Sequence, residues 1–250
     1  MRAAGEVALV TGGARRIGRA IVERLAADGA AIAIHASERS AREAQSLADR
    51  LASRGARAAV VVADLADAGA AETLVDRAAQ LFGPLTRLIN NASIFEADDA
   101  ATFSVADFDR HIAINLRAPL VLAQKFAAAL PDSITGAIVN LVDQRVLRPD
   151  PHYFSYSISK AGLLAATTTM AQAFAPRVRV NAVGPGPVLP NQNEGQAAFD
   201  AEVAVAPLRR AIGVEEIADA VAWLIAAPGV TGQMIAVDAG QHIAWGAGSA

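Results

Sequence analysis

The sequence contains no cysteine. That excludes disulfides and thiolate catalysis, and it fits a reducing compartment. Lysine is nearly absent: Lys125 and Lys160 are the only two in a chain that otherwise uses arginine. Charged residues are 19% of the total, the formal net charge is -3, and there is no basic block. Nucleic acid and an anionic membrane surface are therefore excluded as partners. No apolar run reaches membrane-spanning length, because charges interrupt every candidate. The N-terminal M-R-A-A-G-E-V runs straight into a strand pattern, with no secretory leader ahead of it. His111, His152 and His242 lack metal-ligand spacing, so no metal site is expected. What remains is a soluble, cytoplasmic enzyme acting on a small molecule.

Hydrophobic residues make up 53% of the 250, enough for a large core. Short β-rich runs alternate with longer helical patterns. Strands are predicted over Glu6–Gly12, Ala31–Ala36, Ala56–Asp64, Arg87–Ser93, Gly136–Asp143, Arg177–Gly186 and Gln233–Gly240. Helices are predicted over Arg16–Gly29, Ala41–Arg54, Ala68–Phe82, two within Ser104–Leu130, Tyr153–Phe174 and Val214–Ala226. The strands are continuously apolar rather than alternating, so both sheet faces are covered. The pattern predicts one domain over 1–250, a doubly wound α/β Rossmann fold with a seven-stranded parallel sheet. Residues 187–206 have no clear periodicity; a lid over a site and an ordinary surface excursion both fit.

The stretch V-T-G-G-A-R-R-I-G-R (Val10–Arg19) follows the first strand and opens a helix. In that context it suits a pyrophosphate, held by backbone N–H groups at the helix N-terminus. Gly12 and Gly13 allow the turn, and Gly18 allows close approach. Arg16, however, stands where a third glycine is expected. No acid ends the second strand, where one would bind a ribose 2′-hydroxyl. Arg39 and Ser40, with His35, could instead hold a 2′-phosphate. Glu38 either opposes that phosphate or supplies the acid from a shifted position. The balance favours NADPH.

Tyr156 and Lys160 are spaced i, i+4, on one face of a helix and about 6 Å apart at Cβ. An ammonium there lowers a phenol's pKa from about 10 and makes it a usable acid or base. Tyr153 has Ser157 at the equivalent spacing and is a decoy.

Together, T-G-x-x-x-x-x-G, Asp64, N-N-A-S (Asn90–Ser93), Asn115, Y-x-x-x-K and N-A-V-G-P-G resemble the short-chain dehydrogenase/reductase family, from Val7 to about Gly240. The resemblance assigns Gly12, Arg16, Ile17 and Gly18 to the cofactor phosphates. It assigns Asp64 and Leu65 to the adenine, and Asn91 and Ala92 to the cofactor ribose. Lys160 would bind the nicotinamide ribose, and Gly184–Pro187, including Pro185 and Gly186, would lie beside the nicotinamide. Asn115 would hold a water in a proton relay. The family commonly forms homotetramers, and the C-terminal A-V-D-A-G-Q-H-I-A-W suits either such a contact or an intrachain fit.

Two departures narrow the reading. Asp143 replaces the usual serine, and Arg16 replaces the loop glycine. Both resemble the pteridine reductase branch, including the dihydromonapterin and dihydrobiopterin reductase type, as do N-A-S-x-F (Asn91–Phe95) and H-x-x-x-R-S. The resemblance implies that Phe95 stacks on a pterin, with Ser93 also at the substrate, and that Arg16 reaches both phosphate and pterin. A carboxylate at 143 can accept hydrogen bonds from a guanidine-like edge. Asp143 beside Tyr156 would raise the Tyr pKa against Lys160, so the two should titrate as a pair. Other readings are a capping or ion-paired Asp143 (with Arg145 or Arg148), a general carbonyl or 3-oxoacyl reductase, and a non-catalytic dinucleotide sensor.

Overall fold

The computed structural model describes residues 5–190 and 195–244. The apolar runs become β1 (Val7–Val10), β2 (Ala31–Ala36), β3 (Ala58–Val62), β4 (Arg87–Asn90), β5 (Gly136–Leu141), β6 (Val178–Pro185) and β7 (Met234–Val237). They form one parallel sheet in the order β3-β2-β1-β4-β5-β6-β7. Covering it are α1 (Arg16–Ala27), α2 (Ala41–Ala52), α3 (Ala68–Phe82), α4 (Val105–His111), α5 (Ala118–Ala129), α6 (Phe154–Phe174), α7 (Gly195–Val205) and α8 (Val214–Ala226). No helix among the described residues is long and apolar enough to cross a membrane.

Successive strand residues face opposite sides, and here both sides are packed. Ala8 and Val10 join a core with α1, α2 and α8. Val7 and Leu9 join another with α3 and α5. The chain leaves β1 towards β2 and β3, then returns to β4 on the other side of β1. Strand direction thus opens a crevice at the C-terminal ends of β1 and β4.

Most strands stop short of their predicted ends, because their last residues turn out of the sheet to build that crevice. Thr11–Gly12, Asn91–Ser93 and Val142–Asp143 are cases. The two helices expected within Ser104–Leu130 are joined by a π-helical turn, Ile112–Arg117. The turn lies just before Pro119, which has no N–H to give an α-helical bond. The patternless 187–206 segment contains α7, whose residues are nowhere buried, so no apolar face marked it in the sequence. Residues 191–194 of that segment, and Trp245 in the C-terminal stretch, lie outside the described residues.

A polar chain crosses the interior behind the crevice. Asn90 Nδ2 donates to Asn140 Oδ1 (2.8 Å), Asn140 Nδ2 to Thr167 Oγ1 (2.9 Å), and Thr167 Oγ1 to Leu163 O (2.8 Å). All three side chains are buried. It ties β4, β5 and α6 together. Asn140→Ala strands the Asn90 amide and opens a gap, so we expect a loss of roughly 2–4 kcal/mol. Urea unfolding should show this as a lower midpoint with an unchanged slope.

Candidate active site

The turn after β1 is fixed by small polar groups. Thr11 Oγ1 donates to Ile89 O (3.2 Å) and accepts from the N–H groups of Asn91 (2.9 Å) and Ala92 (3.0 Å). Asn91 Nδ2 donates to Thr11 O (2.9 Å) and Gly12 O (3.1 Å). Gly12 has φ +61, and a Cβ on Gly18 would lie 2.1 Å from Gly12 O, so neither position tolerates a side chain. The loop's geometry therefore holds Asn91 and Ala92 against Gly12.

His35 departs from expectation. It is 3% exposed and sits beneath the loop rather than facing a phosphate. Its Nδ1 accepts from the Gly12 N–H (3.1 Å), and its Nε2 meets Ala63 O (3.2 Å), so the proton resides on Nε2. Burial pushes its pKa down to about 4. A neutral imidazole with both nitrogens engaged anchors the loop and cannot serve a phosphate. The reason is positional: His35 lies within β2, and its side chain is enclosed.

Arg16 has φ 50, so it takes over glycine's left-handed conformation as well as its place. Such a conformation costs an arginine roughly 1–2 kcal/mol. Its guanidinium crosses the mouth of the crevice to Leu189 O (3.4 Å) and Pro190 O (3.5 Å). α1 starts with no side-chain cap and no acid in its first turn, which leaves its N-terminus to an anion. Beside it, Arg39 and Ser40 lie on a short 3-10 turn with Glu38, at the exposed end of β2. Arg15, absent from the sequence-based set, joins them: its guanidinium donates to Arg39 O (3.2 Å) and pairs with Glu43. The arginine pair in the loop was its only signal. Asp64 is exposed just past β3 and accepts from the Ala66 N–H (2.9 Å), while Leu65 beside it is buried.

At the other end, Arg16, Ile17, Asn91, Ser93, Phe95, Asp143, Tyr156, Lys160, Pro185 and Gly186 line one cavity of about 410 Å³. Tyr156 Oη donates to Asp143 Oδ2 at 2.8 Å. Asp143 Oδ1 accepts from the Arg145 N–H (2.9 Å). The Asp143 contacts thus include the capping and the ion pair with Arg145, as well as the phenol. Burial raises the Tyr156 pKa well above 10, and the Asp143 charge raises it further. The charge that opposes them is Arg145, in place of the lysine expected to do so. Lys160 lies 5.7 Å from the Tyr156 ring centre and donates to Leu141 O at 2.7 Å. Its own pKa is pushed down to about 8 by burial.

Phe95 stacks on Tyr153, with ring centres 4.2 Å apart, and meets Tyr156 edge-on at 4.6 Å. Tyr153 thus supports the ring expected to hold substrate. Arg145 lies 5.3 Å from both stacked rings, which places it beside the stack rather than above either face. It is also 3.6 Å from Asp143, 3.6 Å from Glu202 and 3.9 Å from Asp150. Glu202 and Phe199 of α7 line the cavity, and the sequence marked them only as part of the 187–206 segment. Asn115 is buried in the π turn. Its Nδ2 donates to Ile94 O (3.0 Å) and Ser159 Oγ (3.1 Å), and its Oδ1 accepts from Ile94 N–H (2.9 Å) and Ser93 Oγ (3.1 Å). All four amide positions are taken, so the side chain holds Ser93 against α6.

The model of a family described as enoyl-(acyl carrier protein) reductase matches residues 12–242. A short-chain type dehydrogenase/reductase of Picea abies is 32% identical over 250 residues, covering 95% of this chain and 92% of the relative. The granaticin polyketide synthase putative ketoacyl reductase 2 of Streptomyces violaceoruber is 34% identical over 248 residues, covering 95% and 96%. The crystal structure of FolM alternative dihydrofolate reductase 1 from Brucella canis, complexed with NADP, superimposes with a TM-score of 0.93 at 45% identity, covering 97% and 96%.

The lysine's environment sets a pH dependence of stability. Below about pH 8 the ammonium is charged in both states, and the fold carries its desolvation. Between about 8 and 10.5 the unfolded chain keeps a proton the fold has released, so stability climbs with pH. The full climb is on the order of 3 kcal/mol. Urea titrations across that range should show the rise in the wild type and not in Lys160→Met.

Proposed function

The chain belongs to the short-chain dehydrogenase/reductase family, and on that premise we propose that it is an NADPH-dependent reductase of a pterin-like ring. The observation that carries the reading is the carboxylate of Asp143 at 2.8 Å from Tyr156 Oη. A ketone reductase needs a neutral hydroxyl beside the phenol, to donate to a carbonyl oxygen. A carboxylate accepts instead, and so suits the amino and imino donors of a 2-aminopyrimidinone edge. The NADP bound by the 45% identical Brucella protein, and that protein's name, support the same reading.

This chain's residues fit the dinucleotide. The uncapped start of α1, the glycine contacts around Gly12 and Gly18, and the donors of Arg15, Arg39 and Ser40 suit a phosphate-bearing nucleotide. Lys160, Asn91, Pro185 and Gly186 line the cavity where its nicotinamide end belongs. When bound, the dihydronicotinamide supplies a hydride to a ring carbon. Tyr156, kept protonated by its surroundings, gives the matching proton to the adjacent ring nitrogen. The sum is dihydropterin, NADPH and a proton going to tetrahydropterin and NADP⁺. Asp143 holds the phenol and the substrate's donor edge. Phe95 and Arg16 bound the flat ring at the wall and mouth. Phe199 and Glu202 support reading 187–206 as the lid. The homotetramer belongs to the same proposal.

A general carbonyl or 3-oxoacyl reductase is the second reading, favoured by the name of the Streptomyces relative. Assays following NADPH loss, with dihydrobiopterin, dihydromonapterin and a panel of ketones, separate the two. The wild type should turn over a dihydropterin. Asp143→Ser should lose about 10²-fold or more in kcat/KM, while keeping its NADPH affinity. Turnover of ketones alone would overturn the proposal. In Asp143→Asn, removing the charge lowers the Tyr156 pKa, so the alkaline fall in reduction rate should move to lower pH.

A further inference from the structure

The first turn of α6 carries Tyr156, yet its own N-cap residue, Tyr153, provides no capping side chain. The acceptors come from 57 residues upstream, in the loop that carries Phe95. Asp98 O accepts from the Phe154 N–H (3.3 Å), and Asp98 Oδ1 accepts from the Ser155 N–H (3.0 Å). The Asp98 carboxylate also accepts from Ser155 Oγ, which is fully buried. Asp98 pairs with Tyr153 as an isolated parallel bridge. Three residues earlier in the same loop, Phe95 stacks on Tyr153 and meets Tyr156 edge-on.

One residue thus answers two needs. The leading N–H groups of a helix have no partners within it and fray unless something accepts from them. A carboxylate there also complements the helix dipole. Because this cap belongs to the substrate-side loop, it also fixes that loop to the helix.

We propose that Asp98 is a positioning residue, which registers the Phe95 wall against the first turn of α6 and so holds Tyr156 Oη on Asp143. Lys160 lies a full turn deeper, where α6 is already hydrogen-bonded internally. Loss of the tie therefore reaches the acid and the substrate wall before it reaches the lysine. The role holds for any substrate reduced at Tyr156.

The test compares Asp98→Ala and Asp98→Asn with Glu216→Ala. Glu216 caps α8 in a similar way, accepting from the Gly213 N–H (2.9 Å), and stands outside the site. Steady-state kinetics, NADPH binding, melting temperature and hydrogen exchange are read for each. We expect Asp98→Ala to lose roughly 10-fold or more in kcat and to raise KM for the second substrate. Its NADPH affinity should stay within about twofold. Exchange should quicken together in 93–98 and 153–157. Asp98→Asn keeps an acceptor for the Ser155 N–H and should recover most of the loss. Glu216→Ala should lower the melting temperature without the kinetic change. Equal kinetics in Asp98→Ala and Glu216→Ala, or faster exchange in only one of the two segments, would overturn the assignment. So would an Asp98→Asn no better than Asp98→Ala. If Asp98→Ala does not fold, Ser155→Ala removes only the hydroxyl tie and carries the same comparison with a smaller effect. The exchange readout needs no substrate.

Discussion

The hydrogen bond from Tyr156 Oη to Asp143 Oδ2 spans 2.8 Å between the first turn of α6 and the end of β5. It lies where water is largely excluded, so the charge on Asp143 acts on the phenol with little screening. A carboxylate there forces the phenol to remain a donor. It also needs compensation, and Arg145 provides it, while sharing its own charge with Asp150 and Glu202. Arg145 in turn braces the Phe95–Tyr153 stack. Phenol, carboxylate and aromatic stack are thus parts of one electrostatic unit.

The cofactor side is built differently, by backbone geometry. Thr11, His35 and Asn91 spend their hydrogen bonds on the loop itself. This leaves the start of α1 and the arginines around it for an anion. Arg16 is the bridge between the two halves. In a left-handed conformation that favours glycine, it turns its guanidinium from the glycine loop across the cavity mouth to Leu189 and Pro190. A planar, permanently charged group there can serve a phosphate and a flat polar ring together. A glycine in its place would leave the mouth open.

Strand–helix alternation and the i, i+4 pair Tyr156–Lys160 were legible in the sequence, because each is a local pattern; Asp143 and Arg16 stood out as departures from a family motif, with several readings of Asp143 left open. Other features depend on long-range contacts. His35 looked like a phosphate ligand because it ends a strand, but the face it points to is set by the sheet. Asn115 was marked by resemblance, and only the fold shows that its side-chain amide ties Ser93 and Ile94 to α6. α7 has no apolar stripe, so neither it nor Glu202 could be read. The Tyr156 pKa illustrates the same limit: Lys160 is near in sequence, but the influences that set it are burial and Asp143, with Arg145 opposing, and these come from the fold.

The chain has two tyrosines, so Tyr153→Phe leaves Tyr156 as the single phenol and keeps the ring that supports Phe95. An ultraviolet titration of tyrosinate in that variant reads the central group directly. The account predicts no ionisation until well above the ordinary value of about 10, with the transition moving down when Asp143→Asn is added. Ionisation below that value, unmoved by Asp143→Asn, would show Lys160 in command of the phenol and contradict the account.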